Sequence, residues 1–299
     1  MGAHTGTALK VGVADGRELE VVLLGPDDGV PVFAHHGTPG TAGLFGALVE
    51  VGAERNLRHV TYSRPGYGGS TRLPGRGVAD CVTDVVAIAD ALGYDRFYSV
   101  GGSGGAPHSI ACAALLPDRV ISAAAIATPA PLDAEGLDWT AGMGEENVAE
   151  IDALRAGDHA LEEFLKDEAA KMRAATSADI AAMLGDIVSD ADRDVIIGEY
   201  ADYLAEQCVE SVASGLWGWF DDDLALFRDW GFELDQIGVP LAIWHGAEDR
   251  FVPVAHGRWV AERTGARAEL RAGAGHLSIA ISSYGEILDG LLGLASLRQ

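Results

Sequence analysis

Three side chains, far apart along the 299 residues, have the types and settings that acyl transfer requires. Ser103 lies in Gly101-Gly102-Ser103-Gly104-Gly105. An apolar run, Phe97 to Val100, precedes it and a helix-compatible run to Leu116 follows. That pattern predicts a strand, a very sharp turn and a helix. A serine at such a turn takes a strained backbone, and only very small neighbours leave room for it. Its Oγ then stands clear at the positive end of a helix, where Pro107 fits the first turn. A serine hydroxyl is a weak nucleophile and needs a base, which in turn needs an orienting acid. Further on, the apolar run 239–245 ends in His245-Gly246-Ala247-Glu248-Asp249. Asp249 is the acid expected there, with Glu248 as its rival. His276 sits in Ala272-Gly273-Ala274-Gly275-His276, a glycine-rich loop before a helix, and is the candidate base.

The elements that must hold these residues alternate. Residues 8–24 read as two strands joined at Ala14-Asp15-Gly16-Arg17, a hairpin for a sheet edge. Strands at 31–34, 59–62 and 120–127, with the apolar run from Phe97 that enters the serine turn, alternate with helices at 44–55 and 78–92 and with the helix that follows the turn to Leu116. The pattern resumes with strands at 239–245 and 268–271 and helices at 253–263 and 277–294. Near-continuous apolar strands between helices predict an α/β fold: a mostly parallel, eight-stranded sheet with helices on both faces. Residues 131–235 interrupt it with four or five amphipathic helices. The expected division is a core of residues 1–130 and 236–299 with an inserted helical cap at 131–235. That insertion holds 27 acidic and 6 basic residues, a net charge of −21, against −3 for the rest. Charge so concentrated repels anionic substrates and attracts cations at low salt, although solvated helix faces would carry it equally well.

The net charge of −24 argues against a nucleic-acid partner. No uninterrupted apolar stretch is long enough for a membrane span, and Met1 to Thr5 lack the basic start of a signal peptide. Cys81, Cys112 and Cys208 are scattered, with no metal spacing, and suggest a reduced, cytoplasmic setting. No group of histidines and acids forms a metal site, no phosphate loop is present, and no cofactor is expected. The partner expected is a small-molecule substrate.

Taken together and in this order, five segments resemble the α/β-hydrolase-fold serine hydrolases along nearly the whole chain. They are His36-Gly37-Thr38-Pro39-Gly40, Arg64-Pro65-Gly66-Tyr67-Gly68-Gly69-Ser70, the serine turn, His245 to Asp249, and Gly275-His276. The resemblance implies Ser103 as nucleophile, His276 as base and then acid, and Asp249 as its orienter. It also implies an oxyanion hole from the backbone N–H groups of Thr38 and Gly104, each donor stabilising the tetrahedral intermediate by about 3–4 kcal/mol. His36, His108 and His245 are expected to be structural. His35, Trp217, Trp219 and Phe220 are the candidates for a substrate pocket over Ser103. Serine at the turn disfavours dehalogenase and epoxide hydrolase chemistry, which in this fold uses Asp there. The expected activity is hydrolysis of a carboxylic ester, lactone or thioester. The segments are also similar to proline iminopeptidases, but Thr38 and Gly104 stand where those enzymes usually carry glycine and tryptophan. An aminopeptidase is therefore the alternative, followed by cofactor-free C–C cleavage or peracid formation, and by a receptor-like binding protein.

Overall fold

A computed structural model describes residues 6–295, so the reading of Met1 to Thr5 lies outside the described residues. The chain runs through β1 (Thr7–Gly12), β2 (Glu18–Leu24), β3 (Val30–His35), α1 (Gly46–Ala53), β4 (Leu57–Tyr62), α2 (Cys81–Ala91) and β5 (Phe97–Gly102). A single 3-10 turn, Ser103–Gly105, leads into α3 (Ala106–Leu115) and then β6 (Val120–Ile126). Six helices follow without a strand: α4 (Glu145–Ala156), α5 (Asp158–Arg173), α6 (Ile180–Met183), α7 (Asp190–Val195), α8 (Gly198–Ser211) and α9 (Trp217–Leu226). The chain then returns through β7 (Leu241–Gly246), α10 (Val254–Thr264), β8 (Arg267–Arg271) and α11 (Ser278–Ala295).

The eight strands form one sheet in the order β1-β2-β4-β3-β5-β6-β7-β8. Only β2 runs against its neighbours, as a hairpin with β1 and antiparallel to β4. The remaining pairs are parallel. β5 is interior, which is why Phe97, Tyr98 and Val100 are large, mainly apolar side chains buried on both faces. One face packs α2, α3 and α10 around Phe33, Phe97, Ile110 and Val260. The other packs α1 and α11 around Val32, Tyr98, Ile287 and Leu291.

One detail departs from the sequence reading. The helical insertion has six helices rather than four or five, because α6 and α7 are turns of 4 and 6 residues that carry too little periodicity to read. The inward stripe of α2 is Cys81, Asp84, Val85, Ile88 and Ala89. Asp84 sits in that stripe because Arg17 of the hairpin reaches it at 2.8 Å, so the buried carboxylate is paired.

At Gly105, an added Cβ would overlap the carbonyl oxygens of His35 and His36, which are backbone atoms with nowhere to go. Gly105→Ala is therefore expected to destabilise the fold by about 1–3 kcal/mol, as overpacking does. A urea titration measures it, and an unchanged midpoint would show that the two loops are free to separate.

Candidate active site

The serine turn is built by close approach. Ser103 has φ 52°, in the left-handed region that costs a non-glycine residue roughly 1–2 kcal/mol. A Cβ at Gly101 would overlap the Gly105 carbonyl, and one at Gly104 would overlap Thr38 Oγ1. Pro107 occupies the first turn of α3. One turn in, the buried His108 donates from Nδ1 to the Gly104 carbonyl at 2.9 Å, which ties the turn to its helix.

His276 and Asp249 come from the loops after β8 and β7. His276 Nδ1 donates to Asp249 Oδ2 at 2.8 Å, and Asp249 Oδ1 accepts the N–H groups of Phe251 at 2.9 Å and Val252 at 2.8 Å. Glu248 is exposed, so the structure pairs the histidine with Asp249 and not with its rival. His245 packs beneath, its Nε2 bonded to the Val252 carbonyl at 2.7 Å. Burial alone would raise the Asp249 carboxyl, but the charge of the His276 ring and hydrogen bonds from His245 and His276 hold it down to about 2. Burial alone would lower His276; the Asp249 charge outweighs it and raises the ring above 6.5. Phe251 stacks on the ring at 4.4 Å and limits its rotation.

Two aspartates of the insertion fix the loops around this pair, and neither stood out in the sequence. Asp192 of α7 is fully buried. Its Oδ1 accepts the N–H groups of Leu277 and Ser278, both at 2.8 Å, and its Oδ2 accepts the N–H of His276 at 3.1 Å. It therefore caps α11 from another element and holds the loop that carries the histidine. Asp222 of α9, also fully buried, takes Arg64 Nη2 at 2.5 Å, Arg76 Nη2 at 2.6 Å and the Tyr67 hydroxyl at 2.9 Å. It also accepts the Thr38 hydroxyl at 2.8 Å, and Arg64 donates to the carbonyls of His36 and Gly37. Burial would raise its carboxyl, but the Arg64 and Arg76 charges hold it well below the usual carboxylate range. One signal was available: Asp221, Asp222 and Asp223 are consecutive on a helix, and at about 100° per residue three neighbours cannot all face water. All three are buried.

Ser103 opens onto two cavities. One, of about 230 Å³, is lined by Thr38, Gly104, Glu150, Ile151, Trp219 and Asp223, among others. The other, of about 310 Å³, is lined by His35, His36, Tyr200, Tyr203, Gln207 and His276, among others. Phe251 and Thr38 border both. Of the four candidate pocket residues, Trp219 and His35 reach a cavity. His35 is 4% exposed and its Nε2 lies 3.3 Å from Ser99 Oγ, which makes it part of the floor. Trp217 does not reach either cavity: it is 38% exposed, with the Arg72 guanidinium 4.2 Å over its ring. Phe220 packs with Leu161, Leu165 and Val212 inside the insertion. The aromatic-rich start of α9 could not reveal this, because alternate residues on a helix face different directions.

Among the described residues no group of three His, Cys, Asp or Glu is arranged to hold a metal, and no helix is long and apolar enough to cross a membrane. Asp192→Asn keeps the size of the side chain but removes the charge and places N–H donors against N–H donors. A loss of about 2–3 kcal/mol in unfolding free energy is expected. Chemical denaturation measures it, and an unchanged value would mean that the histidine loop is held by other contacts.

The family model described as the alpha/beta hydrolase fold matches residues 30–166, which span the serine turn. No curated protein matches the sequence significantly. Solved structures do. A hydrolase from Pseudomonas aeruginosa PA01 aligns at TM-score 0.68 with 21% identity, over 98% of this chain and 100% of its own. An esterase from Rhodococcus sp. ECU1013 aligns at 0.66 with 18% identity, over 96% and 99%. Epoxide hydrolase A from Mycobacterium thermoresistibile aligns at 0.66 with 21% identity, over 97% and 98%. At such identities the likeness is one of fold: the chain has the α/β-hydrolase fold.

Proposed function

We propose that this protein is a serine hydrolase that cleaves carboxylic esters, lactones and thioesters included, through an acyl-enzyme on Ser103. The observation that carries the reading is one cavity shared by Ser103, at the N-terminus of α3, and a buried His276 whose ring is bonded to Asp249. In this mechanism Ser103 Oγ attacks the carbonyl carbon while its proton passes to His276 Nε2. The carbonyl oxygen, now negative, lies at the backbone N–H groups of Thr38 and Gly104. The tetrahedral intermediate collapses, the bond to the leaving oxygen breaks, and His276 gives the proton to that oxygen. Water then repeats the sequence on the acyl-enzyme, releasing the acid and restoring Ser103.

Asp249 acts here by holding the imidazole in the tautomer whose Nε2 accepts a proton. The esterase among the similar structures agrees with ester chemistry. The epoxide hydrolase among them shows that the fold also hosts another reaction. Serine at the turn supports acyl transfer for this chain, since an oxygen nucleophile with an adjacent base suits a carbonyl carbon. The cap at 131–235, inserted in a core of 1–130 and 236–299, belongs to the same reading: it walls the site and sets substrate choice.

A fluorophosphonate is expected to label wild type and not Ser103→Ala, and persistent labelling of the variant would overturn the assignment. Hydrolysis of a p-nitrophenyl ester should fall by on the order of 10³-fold or more in kcat for His276→Ala. Glu248→Gln should be mild and Asp249→Asn severe. The pH profile adds a sign. With His276 raised above 6.5, kcat/KM should fall on the acid side with a midpoint above 6.5, as the base becomes protonated. In Asp249→Asn the charge that raises the ring is gone and burial remains, so the residual acid limb should move to lower pH.

A further inference from the structure

The two cavities at Ser103 are chemically different, and the histidine distinguishes them. His276 lines only the larger one. A leaving group that takes its proton from His276 must lie on that side. The acyl part, with its carbonyl oxygen at Thr38 and Gly104, extends into the smaller cavity, which Gly104 lines. That cavity is walled by apolar side chains such as Ile151, Phe164, Met172 and Leu226, yet four carboxyl residues also line it. Glu168 is paired with Lys171 and Glu146 is exposed, which leaves Glu150 of α4 and Asp223 of α9.

We propose that Glu150 and Asp223 form a subsite for a positively charged group, a protonated amine, on the acyl part of the substrate. The proposal rests on the acyl-enzyme reading above. Asp223 is 97% buried, since its exposure is 3%; no N–H or side-chain hydroxyl donor faces its Oδ2, and its carboxyl is hydrogen-bonded to that of Glu150. Glu150 accepts the Trp219 indole N–H at 2.8 Å, and the cavity reaches its carboxyl. Among the described residues no cation is bonded to the pair. Arg64 and Arg76 are taken by Asp222, and Arg72 by Asp221 at 2.7 Å. Lys171, at the cavity wall, is bonded to Glu168 at 2.6 Å and its side chain is 59% exposed. Two carboxyl groups without a counter-ion in an apolar wall cannot both stay ionised, so the empty site retains a proton. Burial raises both, Glu150 to about 7. An ammonium with two or three N–H donors meets both carboxyls at once, replaces that proton and makes charge-assisted bonds in a site with little water. An uncharged acyl group of the same size leaves the pair as it was.

The experiment compares p-nitrophenyl esters of matched chain length at neutral pH. One series is neutral, one carries a primary amine at the α, β or γ carbon, and one carries a trimethylammonium group, which is cationic without donors. Wild type is expected to prefer at least one amine ester over its neutral match by tenfold or more in kcat/KM. The trimethylammonium ester should gain less. In Asp223→Asn and in Glu150→Gln the amine-to-neutral ratio should fall towards one, and fluorophosphonate labelling of Ser103 reports that each variant retains its fold. A wild-type ratio of one or below at every amine position overturns the proposal, and needs no variant. A preference that survives both substitutions overturns it as well. Neutral esters turned over without any amine preference would leave the serine mechanism standing and remove only the subsite. No labelling and no turnover of any ester by wild type would remove both.

Discussion

The close backbone approach at the Ser103 turn is the constraint on which the site depends. The end of β5 meets the loop after β3 with no side chain between them: Gly105 lies against the His35 and His36 carbonyls, and Gly104 lies against Thr38. This contact brings the Thr38 and Gly104 backbones to one wall of one cavity, beside the serine. It also forces three glycines around a non-glycine residue at positive φ, so the turn stores strain where the chemistry is proposed to occur. The interior position of β5, paired on both sides by parallel strands, absorbs that strain.

The helical insertion is built into this arrangement. Asp222 reaches down to the Thr38 hydroxyl and, through Arg64, to the loop carbonyls beside it. Asp192 holds the loop of His276 by three backbone N–H groups. A buried carboxylate is costly unless its partners are in place, so each of these contacts links the position of the insertion to the position of a residue proposed to act in the reaction. A lid that swung away as a unit would expose both charges. The arrangement favours entry of substrate through the cavities over wholesale opening.

Charge in the insertion is therefore of two kinds. Most of its acidic residues face water, in keeping with the net −21, and pairs such as Lys166 with Glu162 and Glu163 are surface contacts of small energetic weight. Five carboxyl groups are different: Asp192, Asp221, Asp222 and Asp223 are buried, and Glu150 accepts the Trp219 indole N–H at the cavity wall. They shape the site through short-range contacts that salt does not screen, whereas the surface excess acts at a distance and weakens with ionic strength.

The sequence by itself determined the alternation of strands and helices, the edge hairpin, the serine turn and the glycine-flanked histidine. Each is a local matter: side-chain period, φ preference and turn chemistry act over a few residues. Asp249 was expected with Glu248 as its rival; neighbours in a loop point in different directions, and only the fold shows that it is Asp249 that meets His276. For the same reason Trp219 and Trp217, two residues apart, end on a cavity wall and under an arginine. Asp192 and Asp222 could not be singled out, since the partners that tie them to the site lie 84 to 86 and 146 to 184 residues away in the chain. Whether an acidic residue is solvated or buried depends on which distant donors reach it, and that is decided only when the insertion packs on the sheet.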